Sequence, residues 1–130
     1  MNFDELCNAV MKFDDSVRFA GILDKNGKLV SGGYKDGLTT HLQSDESKMS
    51  FHYTSRGWEN RKNISHRVGK EKFAIVEFEK VKQISIPVDN QNILLTSVEP
   101  ETDHDQIVKS VFTLEQFVID SIRPSFCVLE

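Results

Sequence analysis

Residues 69–98 read GKEKFAIVEFEKVKQISIPVDNQNILLTSV, and three strands run through them almost back to back. Phe73 to Phe78 forms the first. Ala74, Val76 and Phe78 oppose Phe73 and Ile75, so its start is apolar on both faces. Lys82 to Val88 alternates, which turns Ile84, Ile86 and Val88 inward and Gln83 and Ser85 outward. Asp89-Asn90-Gln91-Asn92 supplies the turn into a third strand, Ile93 to Val98. Pro87 has no amide hydrogen to donate, so it belongs at a strand end or a sheet edge.

Toward the N-terminus, residues 17–33 (VRFAGILDKNGKLVSGG) hold two further strands, Val17 to Leu23 and Lys28 to Gly33. Asn26-Gly27 between them accepts the positive φ angles of a tight hairpin turn. Gly21 inside the first strand signals a bulge or a close backbone approach. Gly32 to Ser47 reads as a loop with one helical turn near Leu38.

Helices fill the remainder. Phe3, Leu6, Cys7 and Val10 recur at helical spacing within Asn2 to Phe13, with Asn2 in cap position and Glu5 three residues on. A long helix is expected from Asp45 to Val68. Met49, Tyr53, Asn60, Ile64 and Val68 form an intermittent stripe on it, and Phe51 and Trp58 lie on another side. Gly57 costs that helix about 1 kcal/mol relative to Ala, which calls for a packing reason. The last helix is expected over Asp103 to Ile122. Thr102 and Asp105 form its N-terminal box, Ile107, Val111, Leu114, Val118 and Ile122 form its buried stripe, and Pro124 lies beyond its end. The order is helix, two strands, helix, three strands, helix. It fits an α+β, three-layer α/β/α sandwich around a mostly antiparallel five-stranded sheet, as a single domain over residues 1–130.

Composition narrows the class of protein. A chain of 130 residues buries roughly two-thirds of its extended surface on folding, enough for a core of its own. Nine Phe, one Trp and two Tyr argue against disorder, and no apolar run is long enough for a membrane span. The acidic start MNFDELCNAVMKFDD is unlike a secretory signal, so a cytoplasmic location is expected and the Asn63-Ile64-Ser65 sequon is a chance match. Cys7 and Cys127 are too few for a disulfide scaffold and read as small buried apolar residues. The net charge of −4 argues against nucleic acid as a partner. Residues 45–72 differ, carrying seven Lys/Arg against four Asp/Glu.

The hairpin GILDKNGKLVSGG, the run GKEKFAIVEFEKVKQISIPV and the following NILLTSV together resemble the roadblock (dynein light chain) family within the profilin-like group. The same layout is similar to a set of uncharacterised small archaeal proteins. Two departures are the bulky Phe51, Tyr53 and Trp58 on the long helix and the acidic run from Glu99 to Asp105. The resemblance implies a non-enzymatic interaction module. Such a module dimerises through the long helix and the following edge strand, and docks small GTPases, motor subunits or scaffolds. Carried onto this chain, the dimer surface is Tyr53, Trp58 and Arg61 with Phe73, Ile75 and Val76. An edge strand apolar on both faces, next to a helix with an aromatic on a second face, supports self-association independently.

Sites of chemistry are sparse. Asp103-His104-Asp105 cannot converge on one ion from adjacent helical positions, and an acidic helix N-terminus explains both Asp residues. Lys48, His52 and Arg56 at four-residue spacing, extended by His66 and Arg67, form a candidate anion-binding stripe, weighed against a merely solvated basic face. Gly27, Gly32, Gly33 and Gly37 do not make a phosphate loop. Ser31, Thr40 and Ser44 near His41 lack the marks of a nucleophile elbow. No enzyme activity and no cofactor or metal are expected. The leading expectation is a homodimeric scaffold or regulator, with a small GTPase as a candidate partner and no nucleic acid or membrane. The alternative is a small-molecule sensor of PAS or profilin-like type, with Phe19, Tyr34 and Phe78 lining its pocket.

Overall fold

In the computed structural model, which describes residues 2–122 and side chains through Leu114, α1 (Phe3–Met11) leads into β1 (Val17–Asp24) and β2 (Leu29–Tyr34). Then come α2 (Ser44–Arg61), a 3-10 turn (Lys62–Ile64) and α3 (Ser65–Val68), followed by β3 (Ala74–Glu77), β4 (Lys82–Pro87), β5 (Asn92–Val98) and α4 (His104–Ile122). The sheet order is β2-β1-β5-β4-β3, and every neighbouring pair is antiparallel. This is the expected α+β architecture. Pro87 ends β4 as expected; the side chains of Val118 and Ile122, together with Pro124 and Cys127, lie outside the described residues.

Helices α1 and α4 cover one face. Leu6, Cys7 and Val10 meet Ala20, Ile22, Ile84, Ile86 and Leu94, and Ile107, Val108 and Val111 close the cluster from α4. Helix α2 covers the other face, where Phe51 packs with Phe19, Leu23 and Leu95. Arg18, 8% exposed, binds Glu99 at 2.6 Å and donates to the Thr39 carbonyl at 3.0 Å, which ties the loop before α2 to the sheet.

Glycines allow two close approaches. Gly32 has φ +85°, and a Cβ there would collide with the Ala20 carbonyl oxygen and come within 2.9 Å of Cys7 Sγ. Gly27 has φ +83°, and a Cβ there would stand 2.6 Å from the Cα of His52. The hairpin turn therefore rests against the backbone of α2.

Three sequence expectations are corrected. The helix expected over residues 45–68 stops at Arg61, where a 3-10 turn intervenes before α3; Gly69, with φ +92°, then ends the helical run. Ser85 does not face solvent: it is 6% exposed because α2 covers its side of the sheet. Asp103, not Thr102, caps α4, accepting from the Asp105 amide at 3.0 Å while the Thr102 hydroxyl is buried without a partner. The Asn2 cap stands as read, its side chain accepting from the Glu5 amide at 2.8 Å.

Candidate functional site

Helix α2 is held to the sheet by small and polar groups as much as by apolar ones. Trp58 Nε1 donates to Ser85 Oγ at 2.8 Å, Ser55 Oγ donates to the Asp24 carbonyl at 2.8 Å, and Gln83 Nε2 donates to Ser50 Oγ at 3.2 Å. Tyr34 and Ser47 share a hydroxyl–hydroxyl hydrogen bond of 2.9 Å. These contacts fix the rotation of the helix about its axis. Its inward face presents Ser47, Phe51, Ser55 and Trp58, and at 100° per residue the flank toward β3 presents Met49, Tyr53 and Gly57.

That flank is open. Met49 is 54% exposed and Tyr53 64%, and across from them Val76 and Phe78 are each 50% exposed. Between helix and strand runs a groove of about 740 Å³, floored by Gln83, Ser85 and Leu95. Strand β3 is the last of the sheet, so among the described residues its outer backbone edge has no strand partner. Gly57 faces only the flexible Arg61 side chain, which could shift to admit a methyl group. A Cβ there would approach Arg61 Nη1 to 3.0 Å, and the Arg61 guanidinium lies 5.4 Å from the centre of the Trp58 ring while its Nε holds Glu71 at 2.7 Å.

The structure divides the interface residues expected from the sequence. Tyr53 and Val76 lie on the open face. Phe73 is 41% exposed and stacks edge-on with Phe112 at 6.2 Å, on the other side of the sheet, and half-buried Ile75 also packs against the main core. Arg61 is exposed but committed to Trp58 and Glu71. Trp58 is a correction: at 4% exposure it is a core residue of the protomer and offers no surface to a partner. Met49 and Phe78 share the open face with Tyr53 and Val76. The i, i+4 pairing of Met49 with Tyr53 was visible in the sequence, but which face the helix buries was not.

The basic stripe is likewise divided. Lys48 and His52 flank a second groove, of about 760 Å³, beside the β1–β2 turn, and Arg56 continues that flank of α2. His66 and Arg67 stand on α3, beyond the 3-10 turn. The three residues expected to line a sensor pocket are divided: Phe19 and Tyr34 both line the groove beside the β1–β2 turn, and Phe78 does not. Phe19 is buried against Tyr34 at 4.9 Å and Phe51 at 5.3 Å, whereas Phe78 lines the separate groove beside β3.

At the start of α4, His104 Nδ1 lies 3.3 Å from Lys82 Nζ and its Nε2 lies 3.7 Å from Asp105. Among the described residues no cluster of three His, Cys, Asp or Glu side chains could hold a metal. Burial pushes the Cys7 thiol up to about 11, which keeps it protonated and unreactive near neutral pH. No helix among the described residues is long and apolar enough to cross a membrane.

The family described as "Family of unknown function (DUF6659)" matches residues 1–117. No curated protein matches the sequence. Among solved structures, the roadblock/LC7 domain from Streptomyces avermitilis superimposes with a TM-score of 0.69 at 15% identity, covering 98% of this chain and 99% of that one. MglB of Myxococcus xanthus gives 0.68 at 16% identity, with 95% of each chain covered. Profilin of Schizosaccharomyces pombe gives 0.61 at 10% identity, covering 92% of this chain and 98% of that one. At these identities the likeness establishes a roadblock and profilin-like fold.

Proposed function

The chain belongs to the DUF6659 family, and we propose that it acts as a protein-interaction module that pairs with a second copy of itself through the β3 edge and the adjoining flank of α2. One observation carries this reading: the edge of β3, unpaired among the described residues, coincides with the exposed apolar side chains of Met49, Tyr53, Val76 and Phe78. An open strand edge is a template for another strand, and an apolar patch beside it favours closure over solvation. Two sheets joined there would form one continuous sheet with both copies of α2 on the same face. That composite surface is the proposed docking site for a signalling partner, and a small GTPase, the class that the sequence resemblance implies, is its proposed occupant. The protein is read as a scaffold or regulator, not as a catalyst.

Light scattering across a range of concentrations tests the pairing. The expected result is a mass that rises to that of two chains with increasing concentration. A single-chain mass throughout would overturn it.

A further inference from the structure

The register of β3 gives the molecule two electrically different ends. Ala74 pairs with Ser85 and Glu77 with Lys82, and Lys82 in turn pairs with Val98. Strand β3 therefore begins at the end of the sheet where β4 finishes and ends where β5 finishes.

Its beginning is basic and apolar. Arg67, Lys70 and Lys72 are exposed there, and the intervening Glu71 is already held by Arg61 at 2.7 Å. Among these cations, Ile64 is 56% and Val68 74% exposed, and they border a groove of about 990 Å³ between α3 and β3 that Phe73 also lines.

Its other end is acidic and apolar. Glu77 and Glu79 flank Phe78 at the β3–β4 turn, which closes through the Phe78 amide and the Val81 carbonyl at 2.8 Å. Lys80 completes that turn, and Lys82 is buried beneath it, 4.0 Å from Glu77. Glu101 and Asp103 extend the negative end beyond β5, where Glu99 is already held by Arg18 at 2.6 Å.

We propose that the Glu77-Phe78-Glu79 tip of a second copy seats against this basic end, its carboxylates facing Arg67, Lys70 and Lys72 and its phenyl ring covering the groove beside Val68. The inference rests on the self-pairing read above and specifies its direction. Antiparallel pairing of two β3 edges about a two-fold axis brings the beginning of one strand beside the end of the other. Each copy then gives one tip and receives one, so two identical contacts form. Parallel pairing would set like charges together, and complementary charge across an interface selects orientation and partner.

Charge exchange tests the contact. One variant carries Lys70→Glu and Lys72→Glu, the other Glu77→Lys and Glu79→Lys. Each alone makes both contacts repulsive, so each is expected to self-associate about tenfold or more weakly than the unmodified chain. An equimolar mixture restores both contacts, and a mass of two chains should return. Because Glu77 lies near Lys82, circular dichroism checks the second variant for folding. Glu79→Lys alone replaces it if the fold is lost. Raising NaCl from about 50 to about 500 mM should weaken the unmodified pair severalfold.

Weakened variants that recover on mixing support the contact. Weakened variants that fail to recover overturn it, and so do variants that associate as well as the unmodified chain. In both of those outcomes self-pairing itself survives. An unmodified chain that stays a monomer at every concentration instead removes the pairing on which the contact depends.

Discussion

Trp58 Nε1 and Ser85 Oγ stand 2.8 Å apart within the protomer, joining the last turn of α2 to β4 by a buried hydrogen bond. Trp58→Ala is therefore expected to cost about 3–5 kcal/mol of folding stability, as loss of a buried aromatic does. Trp58→Phe keeps most of the packing and loses the bond, for about 1–2 kcal/mol. Urea denaturation of the three proteins measures both differences. A Trp58→Ala protein as stable as its parent would contradict the buried placement.

Gly32 and Gly37 share a positive φ, +85° and +75°, but only Gly32 is crowded. Gly37→Ala should lose about 1–2 kcal/mol from backbone strain alone. Gly32→Ala meets the same strain and also a collision with the Ala20 carbonyl, adding about 1–3 kcal/mol. Paired melting curves should rank the two in that order.

Cys7 has its folded pKa raised from 9.0 to about 11, mainly through burial. A group whose folded pKa is raised contributes stability that is intact below its unfolded pKa. That contribution is lost as pH rises from about 9 toward about 11. Denaturation midpoints for the parent and for Cys7→Ala should thus converge in this window. Iodoacetamide at neutral pH should label Cys7 in urea far faster than in the native protein.

Val76 and Tyr53 are exposed and support no core contact in the monomer, so substitutions there separate association from folding. Val76→Lys adds a charge to an unpaired strand edge, the device by which edge strands are kept apart. It should leave the melting temperature of the monomer within a degree or two and lower self-association by at least about tenfold. Tyr53→Ala should act in the same direction with a smaller effect. Sedimentation velocity of both variants beside the parent provides the comparison.

Much of the architecture was legible from local chemistry. Asn26-Gly27 announces its hairpin because few dipeptides accept that backbone, and Ile84, Ile86 and Val88 announce a buried face by their alternation. Ser85 and Trp58 depart from their sequence expectations for a shared reason. Each looks polar or surplus until it is known that α2 covers the second face of β4, and that fact resides in tertiary contact. The cap of α4 was displaced by one residue because Thr102 and Asp103 are both competent caps, and only the course of the chain after β5 chooses between them. The open face was half legible. Met49 and Tyr53 share a flank by spacing, but whether that flank meets the sheet or solvent depends on the Ser47–Tyr34 and Ser55–Asp24 bonds, which join residues far apart in sequence.

The strand order also governs how the chain reaches its native state. Strand β1, from residues 17–24, is paired on one side with β2 and on the other with β5, from residues 92–98. The hairpin formed first during synthesis is thus only half of a sheet, with one side of β1 unbonded and the Phe19–Leu95 cluster incomplete. Closing this gap requires ordering a loop of some seventy residues, and such distant pairings slow folding. Until Ile93 and Leu94 leave the ribosome, Leu23 and Ile22 have no strand beside them on that side, and the edge of β1 stays open to pairing with neighbouring chains.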